Sequence, residues 1–307
     1  MAPPAGSNDG TLTWAEVATR ARSRLQTAAS PDACLDAAHD VRRMIEEVTG
    51  AEPGEYLTVL ERSATVAALA RFDVLVERRR AGEPLQYVLG RWSFRHLDLL
   101  VDRRVLIPRP ETEAVVEVAL AELTRLIVRH GHDYQRRIRV ADLGTGSGAI
   151  ALSLAVECKL ADVWATDVST EALAVARANL AGVGRAGARV QLRHGSWYQA
   201  LPSDLAGTLA VIVANPPYVA AADTLPAEVE SWEPALALRS GLDGLDATRL
   251  LLAEAPVWLQ PDGVVVLELS PGQMGPAREL ALASGFTTVE VHADLAGRHR
   301  CLLARAA

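Results

Sequence analysis

Apolar and polar positions divide the chain into stretches of different period. Up to about residue 80, apolar residues recur at three- and four-residue intervals, the spacing that gathers them on one helical face. Thr13 with Glu16 forms a capping-box pattern ahead of a helix running to about Ala29. Asp32 is placed to cap a second helix, in which Leu35, Ala38, Val41, Ile45 and Val48 share a face before Gly50 stops it. Ser63 is placed to cap a third, carrying Val66, Leu69, Ala70, Val74 and Leu75 and closing on Glu77-Arg78-Arg79-Arg80-Ala81-Gly82. Three arginines suit the negative end of a helix dipole better than they suit a nucleic-acid contact.

From Leu85 to Ile107 the pattern shortens to β-like runs: Leu85/Tyr87/Leu89, Trp92-Ser93-Phe94, Leu97 to Val101 and Val105 to Ile107. These predict a linker containing a β-hairpin. Pro108 and Pro110 close it, and Glu111 begins a helix to about His130. After Tyr134, strand and helix patterns alternate. Strands are expected at Ile138 to Leu143, Asp162 to Asp167, Val190 to Arg193, Leu209 to Ala214 and Gly263 to Leu269. Helices are expected at Ser147 to Lys159, Ser169 to Leu180, Asp246 to Leu259 and Pro276 to Ser284. Phe286 to His292 and Cys301 to Ala304 read as a closing antiparallel pair. Such alternation predicts an α/β fold, a doubly wound and mostly parallel sheet with helices on both faces. The domains expected are a helical bundle over 1–84, a hairpin linker over 85–107 and an α/β domain over 108–307.

The length of 307 residues fits about two domains at ~150 residues each. No stretch approaches the ~18 unbroken apolar residues of a membrane-spanning helix, and residues 1–10 lack the pattern of a secretory signal or transit peptide. Cys34, Cys158 and Cys301 are widely spaced and odd in number, as in a reduced cytoplasmic protein whose cysteines pack in the core and bind no metal. The net charge of −7 works against a protein that gains affinity by neutralising phosphates. Residues 1–84 hold 10 Arg against 13 Asp and Glu, a net of −3, a poor electrostatic match to RNA or DNA. Lys159 is the only lysine among 31 basic residues, an imbalance that bears little on function.

Candidate chemistry sits where strands end. The strand at Ile138 runs into Asp142-Leu143-Gly144-Thr145-Gly146-Ser147-Gly148-Ala149, and a helix follows. Glycines there allow a tight turn and let backbone approach a ligand at the helix N-terminus. The next strand ends in Asp167, nineteen residues past Gly148, where a carboxylate can accept both hydroxyls of a ribose. Gly144-x-Gly146-x-x-Ala149 also satisfies the dinucleotide fingerprint, so a dehydrogenase remains open at this point. With Asp142 two residues ahead, the Gly-x-Gly-x-Gly form resembles the turn of S-adenosylmethionine (SAM) enzymes.

The apolar run Leu209 to Ala214 empties into Asn215-Pro216-Pro217-Tyr218. Methylating an amide or exocyclic amine needs a nitrogen lone pair that is normally delocalised. Two acceptors, the Asn215 side-chain oxygen and the Pro216 carbonyl, can take the N–H hydrogens and align that nitrogen with a sulfonium methyl. Proline stiffens the loop, and Tyr218 offers an aromatic face to a planar amide or base. No strong base is needed if the proton leaves after transfer, so catalysis is positioning and charge placement.

Over nearly its whole length the chain resembles the HemK/PrmC family, the release-factor glutamine methyltransferases. Beside the two strand-end motifs, the likeness rests on Gly82-Glu83-Pro84-Leu85-Gln86-Tyr87-Val88-Leu89-Gly90 and Leu106-Ile107-Pro108-Arg109-Pro110-Glu111-Thr112-Glu113. Glu233-Pro234 with Ala237-Leu238, Leu267-Glu268 with Gln273, and Gly297-Arg298 also match. The resemblance implies an N-terminal helical domain that docks a class I release factor, a hairpin linker and a seven-stranded SAM domain. It implies methylation of the side-chain nitrogen of the glutamine in the release factor's Gly-Gly-Gln loop. By the same resemblance, Gly144, Thr145, Gly146, Ser147 and Gly148 would line the methionine and ribose, Asp167 would take the ribose hydroxyls and Trp197 would pack near the adenine. Asn215 would bridge cofactor and substrate, with Pro216, Pro217 and Tyr218 holding the amide. The chain departs from the family pattern at Ser196, where an acidic residue often meets the adenine amine, and at Ser270, where a smaller residue is expected. Arg109 and Glu113 either touch substrate or brace the helix.

Three rivals remain at this stage. A nucleic-acid adenine or guanine methyltransferase shares both motifs and would present a flipped base, but should carry a basic binding module. A dehydrogenase leaves Asn215 to Tyr218 idle. A non-catalytic binding module leaves both halves of the site unexplained.

Overall fold

The computed structural model describes residues 12–28, 36–130 and 137–306. Two compact units emerge, one of Met1–Gly90 with Leu225–Trp232, the other of Arg91–Thr224 with Glu233–Ala307.

The first unit is helical: α1 Trp14–Ala28, α2 Ala37–Thr49, α3 Tyr56–Leu60, α4 Val66–Arg80 and α5 Leu85–Leu89. Leu25, Val41, Met44, Ile45 and Val76 are fully buried, and Trp14 meets Phe72 edge-on with ring centroids 5.6 Å apart. Glu16 accepts the Thr13 N–H at 2.9 Å, so the expected capping box forms. Asp32 lies outside the described residues; α2 is capped by Asp36, which accepts from Ala38 and His39. The cap of α4 is Thr65 rather than Ser63. Thr65 accepts the Ala68 N–H at 3.2 Å, as a side chain one residue before the first turn can, whereas Ser63 bridges to Thr13.

Leu85/Tyr87/Leu89 alternate like a strand yet form a helical turn. Pro84 precedes it, Gly90 at φ 76° closes it, and the Arg78 guanidinium donates to the Tyr87 and Val88 carbonyls at 2.9 and 3.0 Å. Arg79 is buried, donating to Asp40 at 2.7 Å and to Glu228 at 2.8 Å. Two of the three arginines thus hold helices together.

The second unit opens with the antiparallel hairpin β1 Arg91–Phe94 and β2 Leu97–Leu100. Val105 to Ile107, expected as a further run of strand, forms no named strand; the Val105 N–H donates to the Asp102 carbonyl and the Ile107 N–H to Glu233, with both side chains buried. Then follow α6 Pro110–Arg129, β3 Ile138–Leu143, α7 Ala149–Glu157, β4 Ala161–Asp167, α8 Thr170–Gly182, β5 Val190–His194 and β6 Leu209–Ala214. After α9 Ala227–Trp232, which clusters with the first unit, come α10 Asp246–Trp258, β7 Leu259–Glu268, α11 Met274–Ala283, β8 Thr288–Ala293 and β9 His299–Arg305.

The seven strands run β5-β4-β3-β6-β7-β9-β8. The first five pair in parallel, and β9 enters antiparallel between β7 and β8. Every residue of β6 is buried, as expected for a parallel strand covered on both faces. Each of Val211, Ile212 and Val213 contributes about 1.5–3 kcal/mol of transfer free energy. Strand order reverses between β3 and β6, so the crevice at their carboxyl ends is where an open α/β sheet receives a ligand. Cys301 is buried in β9, Cys158 is half-buried and Cys34 lies outside the described residues. Among the described residues no helix is long and apolar enough to cross a membrane.

Candidate active site

A cavity of about 520 Å³ opens in the second unit at that crevice. Its wall includes Gly144 to Ser147, Asp167, Ser196, Trp197, Asn215 and Pro217, so the two strand-end motifs meet in one space. Gly148, Pro216 and Tyr218 are not part of that wall. Gly148 caps α7, Pro216 is buried, and the Tyr218 hydroxyl points to Glu268.

The glycine turn is held by two carboxylates. Asp142, at the end region of β3, accepts the Thr145 hydroxyl at 2.6 Å and the Ala151 N–H at 3.1 Å, both on Oδ2. Its Oδ1 is buried without a partner among the described residues, and burial pushes the carboxyl up to about 7. Asp167 ends β4 and accepts the Gly146 N–H at 2.9 Å and the Ser169 N–H at 2.8 Å. Gly144 lies at φ 79°, and a Cβ there would stand 3.0 Å from the Trp197 ring. A side chain at this position would therefore displace the indole from the cavity wall. Trp197 itself takes φ 46°, a conformation uncommon for a bulky residue.

Asn215 follows β6 directly. Its Nδ2 lies 3.3 Å from the Thr112 hydroxyl, which donates to Glu268 Oε2 at 2.6 Å. Tyr218 reaches Glu268 Oε1 at 3.4 Å. Burial pushes the Glu268 carboxyl up to about 7, and burial also raises the Tyr218 hydroxyl, so tyrosine remains a neutral donor. The loop is pinned further by Gln273, whose Nε2 donates to the Tyr218 carbonyl at 2.8 Å. Gly244 passes beneath the same carbonyl so closely that a Cβ would lie 2.3 Å from it.

The proline-arginine-proline segment braces this wall. Arg109 pairs with the buried Glu233, which also accepts the Ile107 N–H at 3.2 Å. Glu113 accepts the Arg95 N–H at 2.9 Å. Both of these residues, left open between substrate contact and bracing, are engaged in holding the fold. Ser270 heads the next turn in a capping box with Gln273. Sequence reasoning did not find Thr112 as a partner of Asn215. The available signal was Glu268 itself, a lone carboxylate ending the apolar run Val264 to Leu267.

Comparison with known proteins bears on this site. Residues 16–90 match the family model of the PrmC N-terminal domain, and residues 120–231 match that of the methyltransferase small domain. A release factor glutamine methyltransferase from Moorella thermoacetica is 46% identical over 252 residues, 81% of this chain and 84% of that protein. One from Deinococcus radiodurans is 39% identical over 293 residues, covering 95% and 98% respectively. One from Agrobacterium fabrum is 34% identical over 302 residues, covering 98% and 99%. A solved methyltransferase from Pyrococcus furiosus aligns over 78% of this chain and 98% of its own, with 19% identity and a TM-score of 0.48.

Proposed function

Since the chain belongs to the release factor glutamine methyltransferases, we propose that it methylates the side-chain nitrogen (N5) of the glutamine in the Gly-Gly-Gln loop of class I release factors, with SAM as donor. The observation that carries this is Asn215, held by its Nδ2 end in the wall that also carries the glycine turn.

The residues present fit SAM. The Asp167 carboxylate in the cavity wall could accept from ribose hydroxyls, an indole lies across Gly144 as an apolar cover, and the cavity volume is ordinary for a small-molecule site. Gly144 to Gly148, Asp167, Trp197 and Asn215 are the residues assigned to it. SAM, when bound, supplies an electrophilic methyl on a sulfonium centre.

The chain's own part is placement. The Asn215 oxygen and the Pro216 carbonyl accept the two N–H hydrogens of the glutamine amide and turn its nitrogen toward the methyl. Pro217 and Tyr218 hold the amide plane from the loop. Oriented acceptors fixed before the reaction cost no reorganisation during it, which is where the rate gain resides. Residues 1–84 are assigned to recognition of the release factor. Their charge balance of −3 supports a protein partner over a nucleic acid, and the enzyme is assigned to the cytoplasm, where that partner works.

Mass spectrometry of a release factor incubated with the protein and SAM tests the proposal. One added methyl on the Gly-Gly-Gln glutamine is expected. Methyl appearing only on adenine or guanine of added nucleic acid would overturn it in favour of the nucleic-acid enzyme.

A further inference from the structure

The amide of Asn215 can face a substrate in two ways, because a half-turn about its terminal bond exchanges acceptor and donor. The surrounding residues select one of them. Thr112 on α6 is buried and has a single hydroxyl proton, which goes to Glu268 Oε2 at 2.6 Å. With Glu268 ionised, that hydroxyl can therefore only accept toward Asn215, and the group it meets at 3.3 Å is Nδ2. Glu268 ends β7 at 1% exposure, and its other oxygen faces the Tyr218 hydroxyl.

We propose that Thr112 and Glu268 are positioning residues for methyl transfer: Glu268 orients the Thr112 hydroxyl, which holds Asn215 with its NH2 end inward and its oxygen toward the cavity. This rests on the assignment of Asn215 to the substrate amide made above. Turned the other way, Asn215 would present N–H to a substrate nitrogen that carries only N–H, a donor set against a donor. The relay also accounts for a carboxylate kept at the buried end of an apolar strand, where it costs desolvation unless its oxygens are engaged. The three side chains come from α6, the end of β6 and the end of β7, so the sheet edge itself sets their spacing.

The test is single-turnover transfer from labelled SAM with the full chain. Thr112→Val keeps the shape and removes the hydroxyl. It should slow transfer about 10-fold, the scale of one lost hydrogen bond. Thr112→Ser should recover the rate to within about threefold. On an Asn215→Ala background, Thr112→Val should cost nothing further, because residues acting through one group are not additive. Glu268→Gln retains an acceptor for Thr112 and should lose less than Thr112→Val. Additive losses, a serine variant as slow as the valine, or a Glu268→Gln loss exceeding both would overturn the relay.

A readout without turnover separates this inference from the proposed function. The side-chain NH2 resonance of Asn215, assigned by its disappearance in Asn215→Ala, should move in Thr112→Val and stay in Thr112→Ser. A chain found to methylate some other substrate would fail the proposed function while this resonance still decides the relay. An unmoved resonance in Thr112→Val would refute it.

Discussion

Asp142 and Asp167 hold adjacent residues of one turn: the Thr145 hydroxyl donates to the first carboxylate and the Gly146 N–H to the second. Their surroundings differ sharply. Asp142 is wholly buried, whereas Asp167 lines the cavity. The first is a structural tie with a raised affinity for protons, and the second is available to a ligand.

Removing the cavity-lining member should therefore cost binding. Asp167→Ala is expected to weaken SAM by ~1.5–3 kcal/mol, the range for hydrogen bonds to a charged group. Titration calorimetry measures it, with NAD as the control that should show no binding. Unchanged SAM affinity, or tight NAD binding, would contradict the assignment.

The buried member governs stability through pH. Asp142 titrates near 7 in the folded chain, mainly because it is desolvated, against an ordinary value near 4 when unfolded. Between those values the native state holds a proton that the unfolded chain has released. Stability from this group thus falls as pH rises through that window and levels off above about 7. Glu268, also raised to about 7 by burial, acts in the same direction. Asp142→Asn has no such proton to lose, so this contribution to the pH dependence should disappear in the variant. Thermal melts from pH 5 to 8 should show a flatter profile for this variant; parallel profiles would count against it.

Asn215→Ala should slow methyl transfer ~100-fold or more, on the scale of one preorganised polar contact. Its melting temperature should hardly change, since a half-buried amide at a loop edge contributes little packing. Asn215→Asp keeps the size but sets a negative charge beside the donor, and it should be slow as well. A folded Asn215→Ala protein with near-normal single-turnover transfer would exclude the mechanism.

Deleting residues 1–84 should leave SAM binding largely intact while abolishing methylation of a whole release factor. A short Gly-Gly-Gln peptide as substrate distinguishes lost recognition from lost chemistry, because it should be methylated slowly by both proteins. Normal transfer to the full release factor by the truncated chain would remove the assignment.

Much of this was legible in the sequence because periodicity and strand-end chemistry are local. The run Leu209 to Ala214 is the strand found, residue for residue, and the glycine turn and Asp167 stand at adjacent strand ends. Other features depend on partners distant in the chain. Five residues from Leu85 to Leu89 fit a strand or a helical turn equally; Arg78, capping their carbonyls from α4, settles the choice. The short helices α3 and α9 are too brief to show a period. Thr112 and Glu268 meet across 156 positions, and neither residue type announces the other.

The discontinuous makeup of the helical unit imposes an order on its birth. Arg79 meets Asp40 within the first stretch of chain, but its second partner, Glu228, lies 149 residues further on. At synthesis rates of about 5–20 residues per second, that interval is on the order of ten seconds. For that time the nascent helices hold a guanidinium whose ion pairing is half complete, with the sheet domain still emerging behind them. The helical unit, although most of it precedes the sheet unit in the chain, is completed only after four of the seven sheet strands have been made.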